Sequence, residues 1–238
     1  NHFSLLNLKN KIDHVVGDIT DLSSFEMALK DYKPEIVFHL AAQAIVKYSF
    51  DDPVKTFNTN IMGSVNVLDS VKKCDSVKSL VFVTSDKCYE NSEWVWGYRE
   101  NDQLGGYDPY SASKAAAELI FSAYSRSFFS IRKDLGAATV RAGNVIGGGD
   151  WSEDRLIPDA IRAWENQDIL QIRRPDSTRP WQHVLEPIYG YIMLAQQIES
   201  NPEKAEAYNF GPDAASTASV RDVITLANNF FGSGKVIY

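Results

Sequence analysis

The sequence predicts an α/β protein with a doubly wound parallel sheet and a smaller C-terminal lobe. Short apolar runs rich in β-branched and aromatic residues, such as 80–84, alternate with longer helical patterns along the first 147 residues. Strands that alternate with helices are joined by right-handed crossovers, which produce a parallel sheet with helices on both faces. The apolar runs carry no polar alternation, as expected for strands buried on both faces.

The expected elements follow one another without a linker-like change in composition. Strands are predicted at residues 11–16, 36–40, 80–84 and 137–141. Helices are predicted at 21–32, about 53–73 and about 110–128, the first one capped by Asp21 or by a serine that follows it. A further helix, from about 187 to 200, is expected to return to the main sheet.

We place a domain boundary between residues 147 and 148, where the periodicity weakens. Residues 1–147 are expected to form part of a dinucleotide-binding domain, and residues 148–238 part of a substrate-binding lobe. Three glycines lie at the junction, at 147–149. They follow a late strand and do not match G-x-G-x-x-G, so we interpret them as a flexible turn rather than a phosphate loop.

Composition restricts the classes of function. The 238 residues are 44% hydrophobic and 23% charged, which is typical of a globular protein with a substantial core. The net charge of −7 argues against a general nucleic-acid or anionic-membrane surface. No stretch approaches the about 18 apolar residues of a membrane span, and the start lacks a signal-peptide profile, so we expect a cytoplasmic protein. Two cysteines and four scattered histidines predict reduced thiols and no metal site.

Tyr110 and Lys114 begin an alanine-rich helical pattern. Their spacing of four places both side chains on one face of a helix, so the ammonium group can lie beside the phenol oxygen. A cation there stabilises the phenolate and lowers the tyrosine pKa below its reference value of about 10. The pair therefore predicts a base that works near neutral pH, although the same spacing also arises by chance in many helices.

The residues after the third predicted strand strengthen this interpretation. Ser85, Asp86 and Lys87 follow its apolar run directly. Polar residues at the carboxyl end of such a strand line the crevice in which open α/β sheets bind ligands. We expect Ser85 to act with Tyr110 and Lys114 as a second hydrogen-bond donor to the substrate oxygen, in a site that oxidises a sugar.

Several longer stretches carry a resemblance to a known family. They lie at 17–19, 39–43, 60–64, 84–89, 94–100, 106–114, 141–151, 155–158, 179–184 and 208–211. In these stretches the sequence resembles the extended short-chain dehydrogenase/reductase family, in the branch that acts on nucleotide sugars. The Ser-Asp-Lys triplet and the tryptophan-rich run behind it are similar to the branch that uses CDP-sugars. The resemblance implies an NAD(P)-binding fold of the Rossmann type, with NAD as cofactor.

The resemblance also implies a set of binding residues. On the cofactor side these are Asp18 and Ile19 for the adenine, Leu40, Ala41, Ala42 and Gln43 for the ribose and phosphates, Thr59, Tyr110, Lys114 and Asn144. On the substrate side they are Ser85, Asn144, Arg155, Leu156, Arg179 and Asn209. An arginine suits a diphosphate because its fork of donors matches phosphate oxygens. Each residue also has a simpler explanation: Asp18 a turn cap, Arg179 a surface charge, Asn209 a bend.

The chemistry implied by the resemblance is a 4,6-dehydration of CDP-glucose without net redox change, for deoxysugar and O-antigen biosynthesis. Tyr110 takes the proton of the C4 hydroxyl while the C4 hydrogen passes to NAD. Asp86 is the acid for the departing C6 oxygen. Lys87 occupies the place where the dTDP-glucose branch carries a glutamate base. It acts either as a neutral base, which requires burial or a neighbouring cation, or as a cation that stabilises the enolate.

Two other functions stay open. A nucleotide-sugar 4-epimerase or reductase uses the Ser-Tyr-Lys set without an acid–base pair, so the Asp86-Lys87 dipeptide argues against it. A non-catalytic nucleotide-binding protein is the other class. The sequence contains no G-x-G-x-x-G turn after a first strand, so we expect an incomplete cofactor site in this chain. A homo-oligomer, dimer or tetramer, is also expected from the resemblance.

Overall fold

A computed structural model describes residues 2–213 and 217–238, which fall into two compact units. The sheet unit comprises Val15–Ala142 and Pro187–Phe210. The second unit comprises Gly143–Glu186 with the described parts of residues 1–14 and 211–238. The domain boundary expected between 147 and 148 stays a prediction.

Helices and strands alternate along much of the described chain. The helices are α1 His2–Leu5, α2 Leu22–Tyr32, α3 Val46–Asp51, α4 Pro53–Phe57, α5 Gly63–Lys72, α6 Pro109–Ser127, α7 Leu156–Glu165, α8 Leu185–Ser200 and α9 Val220–Phe231. The strands are β1 Ile36–His39, β2 Ser79–Val83, β3 Gly136–Ala142, β4 Val145–Ile146, β5 Ile169–Gln171, β6 Thr178–Arg179, β7 Gln182–His183, β8 Ala207–Phe210, β9 Ala218–Ser219 and β10 Lys235–Ile237.

The sheet unit is built on four parallel strands in the order β1-β2-β3-β8. Leu80 and Phe82 of β2 pack on one face, with Leu68 of α5 and Phe121 of α6. On the other face, β2 and β3 pack against α8, as the buried side chains Val81, Val140 and Ile198 show. The central strand β2 is covered on both faces, which agrees with its apolar run Leu80–Val83. The predicted doubly wound α/β fold is confirmed.

The strand predicted at 11–16 is wrong. A short 3-10 turn at Leu8–Asn10 precedes it, and residues 12–17 are irregular. Val15 and Val16 are 61% and 85% exposed. A strand needs a neighbour to take its main-chain hydrogen bonds, and the sheet of the described residues ends at β1. Apolar alternation alone cannot supply that neighbour.

The helix predicted at about 53–73 is present but interrupted. Asp52 caps α4 by accepting from Lys55 N. A π-helical turn, Asn58–Met62, then separates α4 from α5. Such π-turns are frequent at functional sites because the extra residue re-aims the side chains that follow. Thr59, one of the predicted cofactor residues, lies in this turn.

The second unit holds elements that the sequence pattern did not predict. Helices α7 and α9 bury Trp164 and Ile224 in a small core that includes Leu170 of β5. Short strands pair as β5 with β10, β4 with β7, and β6 with β9.

The predicted return helix is confirmed as α8, which begins two residues earlier than expected, at Leu185. None of the helices described is both long and apolar enough to span a bilayer.

Candidate active site

The candidate site lies at the carboxyl ends of β1 and β2. Parallel strands end at the same edge, so the residues that follow them are brought together. Residues 40–43 follow β1, and Ser85 with the 3-10 turn Asp86–Cys88 follows β2. Helix α6 packs against this turn. The structure therefore brings the predicted Ser-Asp-Lys segment to the helix that carries Tyr110 and Lys114.

Helix α6 begins where the sequence predicts because its first turn is capped. The carboxylate of Asp108 accepts from Ser111 N at 2.9 Å and from Ser111 Oγ at 2.7 Å, and Pro109 occupies the first turn. Tyr110 and Lys114 follow one turn apart and are 8% and 6% exposed. The predicted face of the helix is thus buried, and its charge is desolvated.

Burial sets the protonation of this face. It lowers the pKa of Lys114 to about 8, and the carboxylate of Glu118 opposes that shift. Burial and then the charge of Lys114 lower the pKa of His39 to about 4. At neutral pH, Lys114 is therefore a cation beside a neutral imidazole, which is the charge state that a phenolate base needs.

Ser85, Asp86 and Lys87 form a compact turn with graded exposure. Ser85 Oγ donates to Asp86 Oδ1 at 3.1 Å and accepts from Lys87 N at 3.2 Å. Ser85 is buried, Asp86 is half-buried and Lys87 is exposed. Lys87 is thus exposed in the described structure, and a base role would require that bound substrate cover it or that a cation approach it.

The loop after β1 is tied to α6 through one buried amide. Asn60 Oδ1 accepts from Gln43 N at 2.8 Å, and Asn60 Nδ2 donates to Gln43 O at 3.0 Å and to Ser113 Oγ at 2.9 Å. Ser113 Oγ donates in turn to Tyr110 O at 2.6 Å. Asn60 comes from the π-turn and is 2% exposed. The predicted cofactor loop and helix α6 are therefore held as one framework.

The other predicted cofactor residues of the sheet unit lie near the surface. Asp18 Oδ1 accepts from Thr20 N at 2.9 Å and from Thr20 Oγ1 at 2.8 Å, which lowers the pKa of this carboxyl group. Asn66 Nδ2 donates to Ile19 O at 2.9 Å and so fixes the turn against α5. Leu40 and Ala41 are exposed, and Ala42 is half-buried. Asp18 thus presents a fixed anionic acceptor.

Four predicted site residues belong to the second unit. Asn144 accepts at its main-chain oxygen from Gln182 N at 3.0 Å. Arg155 and Leu156 lie at the start of α7, and Arg179 lies in β6. Their assignment to cofactor or substrate stays a prediction.

Asn209 has a role that the sequence did not indicate. Its Oδ1 accepts from Tyr89 Oη at 2.7 Å, and its Nδ2 donates to Tyr98 O at 2.9 Å. Both ends of the amide are thus bonded to the segment that follows the Asp86–Cys88 turn. A contact of Asn209 with substrate stays a prediction.

Sequence reasoning missed a buried ion pair next to this site. Arg141 Nη2 and Nε donate to the Glu118 carboxylate at 2.8 and 2.9 Å, and both side chains are 4% exposed. Two features of the sequence mark the two charges separately, but not their pairing: Glu118 lies one helical turn after Lys114, and Arg141 ends the predicted strand at 137–141. Charged residues at such positions are seldom buried unless paired. Within residues 2–213 and 217–238, no group of three or more His, Cys, Asp or Glu side chains is placed to bind a metal ion.

Comparisons with known proteins place the chain in a family. The family model described as GDP-mannose 4,6 dehydratase matches residues 2–234. A CDP-glucose 4,6-dehydratase of Salmonella typhimurium is 49% identical over 97% of this chain and 66% of its own length. A dTDP-D-glucose 4,6-dehydratase of Dictyostelium discoideum is 27% identical over 83% of this chain and 45% of its own length.

Solved structures agree on the fold. A UDP-glucose 4-epimerase of Brucella ovis in complex with NAD superposes with a TM-score of 0.82 at 24% identity, over 94% of this chain and 71% of that one. A dTDP-glucose 4,6-dehydratase of Streptomyces venezuelae with NAD and DAU bound gives a TM-score of 0.78 at 21% identity, over 93% of this chain and 65% of that one. At this identity the likeness establishes a Rossmann-like α/β fold.

The chain belongs to the GDP-mannose 4,6-dehydratase family, within the extended short-chain dehydrogenase/reductases. The resemblance found in the sequence is thereby confirmed. The chain spans 66% of the length of the Salmonella protein and 45% of the Dictyostelium protein.

Proposed function

We propose that the protein is an NAD-dependent hydro-lyase that converts CDP-glucose to CDP-4-dehydro-6-deoxyglucose. One observation carries the proposal. The buried face of Tyr110 and Lys114 packs against a turn that presents an acid and a lysine, so groups for oxidation and for elimination share one site. The 49% identity to a CDP-glucose 4,6-dehydratase supports the choice of reaction and nucleotide.

The residues of the sheet unit fit NAD. Asp18 offers a fixed carboxylate acceptor, suited to an amino or hydroxyl group of the adenosine. Residues 40–43 follow β1 at the edge where such sheets bind dinucleotides. The Asn60 framework holds this loop at a set distance from Tyr110. Bound NAD would accept the C4 hydrogen of the sugar as a hydride and return it to C6.

The oxidation half is assigned to α6. Tyr110 Oη takes the proton of the C4 hydroxyl, and the resulting ketone makes the C5 hydrogen acidic. Lys114 stays charged because its pKa is about 8, and it stabilises the phenolate. Ser85 Oγ turns from Asp86 to the substrate oxygen and donates to it. The site is desolvated, so these fixed charges act strongly.

The elimination half is assigned to the turn. Lys87, covered by bound substrate and then neutral, takes the C5 proton. Asp86 gives its proton to the C6 oxygen, the C6–O bond breaks and water leaves. After the hydrogen taken from C4 arrives at C6, a proton returns to C5 from Lys87 or solvent. The product has lost one water and shows no net redox change.

A 4-epimerase is the second candidate. A UDP-glucose 4-epimerase of Mycoplasma genitalium is 24% identical over 97% of this chain, and the Brucella structure has the same activity in its name. Epimerisation needs oxidation and reduction at C4 only, so it gives Asp86 no role as an acid.

We also propose a homo-oligomer, as the family resemblance implies.

The test incubates the intact protein and NAD with CDP-glucose, UDP-glucose, dTDP-glucose and GDP-mannose separately, and analyses the products by mass spectrometry and NMR. The proposal expects a 4-keto-6-deoxy sugar, one water lighter, formed fastest from CDP-glucose. An unchanged mass with inversion at C4 would establish the epimerase. Tight NAD binding without turnover of any of the four would favour a binding protein.

A further inference from the structure

The 85–88 turn, Ser85 with Asp86–Cys88, is held from both sides by side chains. Thr84 precedes it and Tyr89 follows it. Both flanking side chains are buried, Thr84 to 6% exposure and Tyr89 to 5%. Each of their hydroxyls points into the same place in the core, the Glu118–Arg141 pair.

The two hydroxyls bond to opposite members of that pair. Thr84 Oγ1 donates to Glu118 Oε1. Arg141 Nη1 donates to Tyr89 Oη at 2.7 Å, and the guanidinium lies over the Tyr89 ring at 5.0 Å. The residue before the turn is thus anchored to the anion, and the residue after it to the cation. A shift of either ion moves one end of the turn.

The pair itself is fixed to the two elements that frame the site. Glu118 lies on α6 one turn beyond Lys114, and Arg141 lies on β3. Arg141 Nη1 also donates to Glu100 O at 2.8 Å, so its bonds reach the loop that returns toward α6. A buried ion pair gains little stability from its charges, because desolvation costs about as much as attraction returns. A fully bonded pair in this place instead provides defined geometry.

The network continues to the next strand. Tyr89 Oη donates to Asn209 Oδ1 at 2.7 Å, and Asn209 N donates to Glu100 Oε1 at 2.8 Å. The guanidinium of Arg141 on β3 therefore bonds to α6 and to the segment 89–100, and it is linked to Thr84 through Glu118 and to β8 through Tyr89. None of these groups belongs to the acid–base set described above, and they supplement the direct packing of Cys88 on Ala115 of α6.

We propose that the Glu118–Arg141 pair holds the 85–88 turn against α6 and in this way serves the elimination of water rather than the oxidation at C4. Tyr110 and Lys114 take their positions from the capped helix α6, whereas Asp86 and Lys87 take theirs from the turn. The inference rests on the proposed function, and Glu118 and Arg141 are positioning residues in it.

The test removes one of the two anchoring hydroxyl groups at a time, with substitutions that leave no large cavity in the core. Tyr89→Phe deletes the hydroxyl that Arg141 reaches, and Thr84→Val deletes the hydroxyl that reaches Glu118. In the valine variant the main-chain N of residue 84 can still donate to Val140 O, a bond of 2.9 Å in the unaltered protein, so the end of β2 keeps its place. Tyr98→Phe is the matched control, because Tyr98 belongs to the same ring stack but its hydroxyl bonds to Asn91 and Ser92.

Two readouts separate the steps. CDP-6-deoxyglucose lacks the leaving group, so the absorbance of reduced nicotinamide in a single turnover reports oxidation alone. With CDP-glucose in deuterated water, deuterium entry at C5 reports elimination. We expect elimination to fall about tenfold or more in Tyr89→Phe and Thr84→Val, with oxidation within about twofold of the unaltered protein. Reduced nicotinamide should therefore accumulate during turnover, and Tyr98→Phe should behave as the unaltered protein.

A third readout needs no cofactor. Cys88 N donates to Ser85 O at 3.2 Å, and hydrogen exchange of this amide should accelerate in both anchor variants but not in Tyr98→Phe. If oxidation and elimination fall together, or if neither changes, the positioning role is wrong. If the unaltered protein forms no 4-keto-6-deoxy product, the proposed function fails instead, which the product assay with the four nucleotide sugars reveals separately.

Discussion

The two halves of the candidate site differ in how they are built. The Tyr110–Lys114 half lies on a 19-residue capped helix and is buried, with its charge state set by desolvation. The Asp86–Lys87 half lies on a three-residue turn, is partly exposed and, in our proposal, is held in place by the neighbouring Glu118–Arg141 ion pair. The difference indicates that the proposed oxidation relies on the buried charge of Lys114, and the proposed elimination on the fixed positions of Asp86 and Lys87.

Removing the phenol should have the largest effect. Tyr110→Phe keeps the ring but deletes the hydroxyl proposed to take the C4 proton, so we expect turnover of CDP-glucose to fall about 10³-fold. Formation of reduced nicotinamide in a single turnover should fall equally, because removal of the C4 hydroxyl proton is required for the oxidation and therefore for the whole turnover. Circular dichroism provides the control for folding. Activity close to that of the unaltered protein would remove Tyr110 from the mechanism.

Lys114 should show opposite effects on activity and stability. Lys114→Met removes the buried cation one helical turn after Tyr110, and we expect turnover to fall about 10²-fold. The lysine pKa is lower in the folded protein than in the unfolded chain, about 8 against 10.5, so the folded state binds fewer protons between these values. Stability of the unaltered protein should therefore rise as pH increases from 8 to 10.5.

The methionine variant should lose that rise. Below pH 8 the folded protein carries the cost of a buried charge, so Lys114→Met should increase the free energy of unfolding at neutral pH by on the order of 2 kcal/mol. Urea denaturation at several pH values measures both effects. A variant less stable than the unaltered protein at pH 7 would contradict the charge state inferred for Lys114.

The role of Lys87 in the turn can be tested separately from that of Asp86. Lys87→Ala should abolish exchange of the C5 hydrogen with solvent and lower turnover by about 10²-fold, because a general base contributes about that much. Lys87→Arg is the matched control, since arginine keeps the charge but does not act as a base. An active arginine variant would show that Lys87 stabilises the enolate as a cation. Normal exchange in Lys87→Ala would exclude both roles.

The smallest effect concerns His39, which borders the buried half of the site. An imidazole with a folded pKa of about 4 contributes stability that is complete above the unfolded value of about 6.5 and is lost as pH falls toward 4. His39→Gln should remove this dependence, worth about 1–2 kcal/mol between pH 6.5 and 5. Thermal or urea unfolding across that range measures it, and equal slopes in both proteins would contradict a buried neutral His39.

The sequence predicted what depends on neighbours along the chain. Helix α6 was placed within one residue, because its cap at Asp108, its proline and its alanine pattern are local signals. The shared face of Tyr110 and Lys114 follows from the same helix. The position of Ser85, Asp86 and Lys87 directly after a buried strand was also predicted correctly, since a continuous apolar run indicates such a strand.

What the sequence could not predict depends on residues far apart. Glu118 and Arg141 are 23 residues apart, and Tyr89 is 52 residues from the arginine that it contacts. No local pattern shows that these side chains meet. The same reason explains the wrong strand at 11–16 and the missed helices α7 and α9, whose formation depends on packing partners.

The most direct test of the whole account uses CDP-glucose carrying deuterium at C4. Oxidation and reduction in one site transfer that atom within the molecule, so the account predicts a 4-keto-6-deoxy product that is one water lighter and carries the deuterium at C6. Deuterium that stays at C4 of a product of unchanged mass, or that is lost to solvent before water leaves, would contradict it.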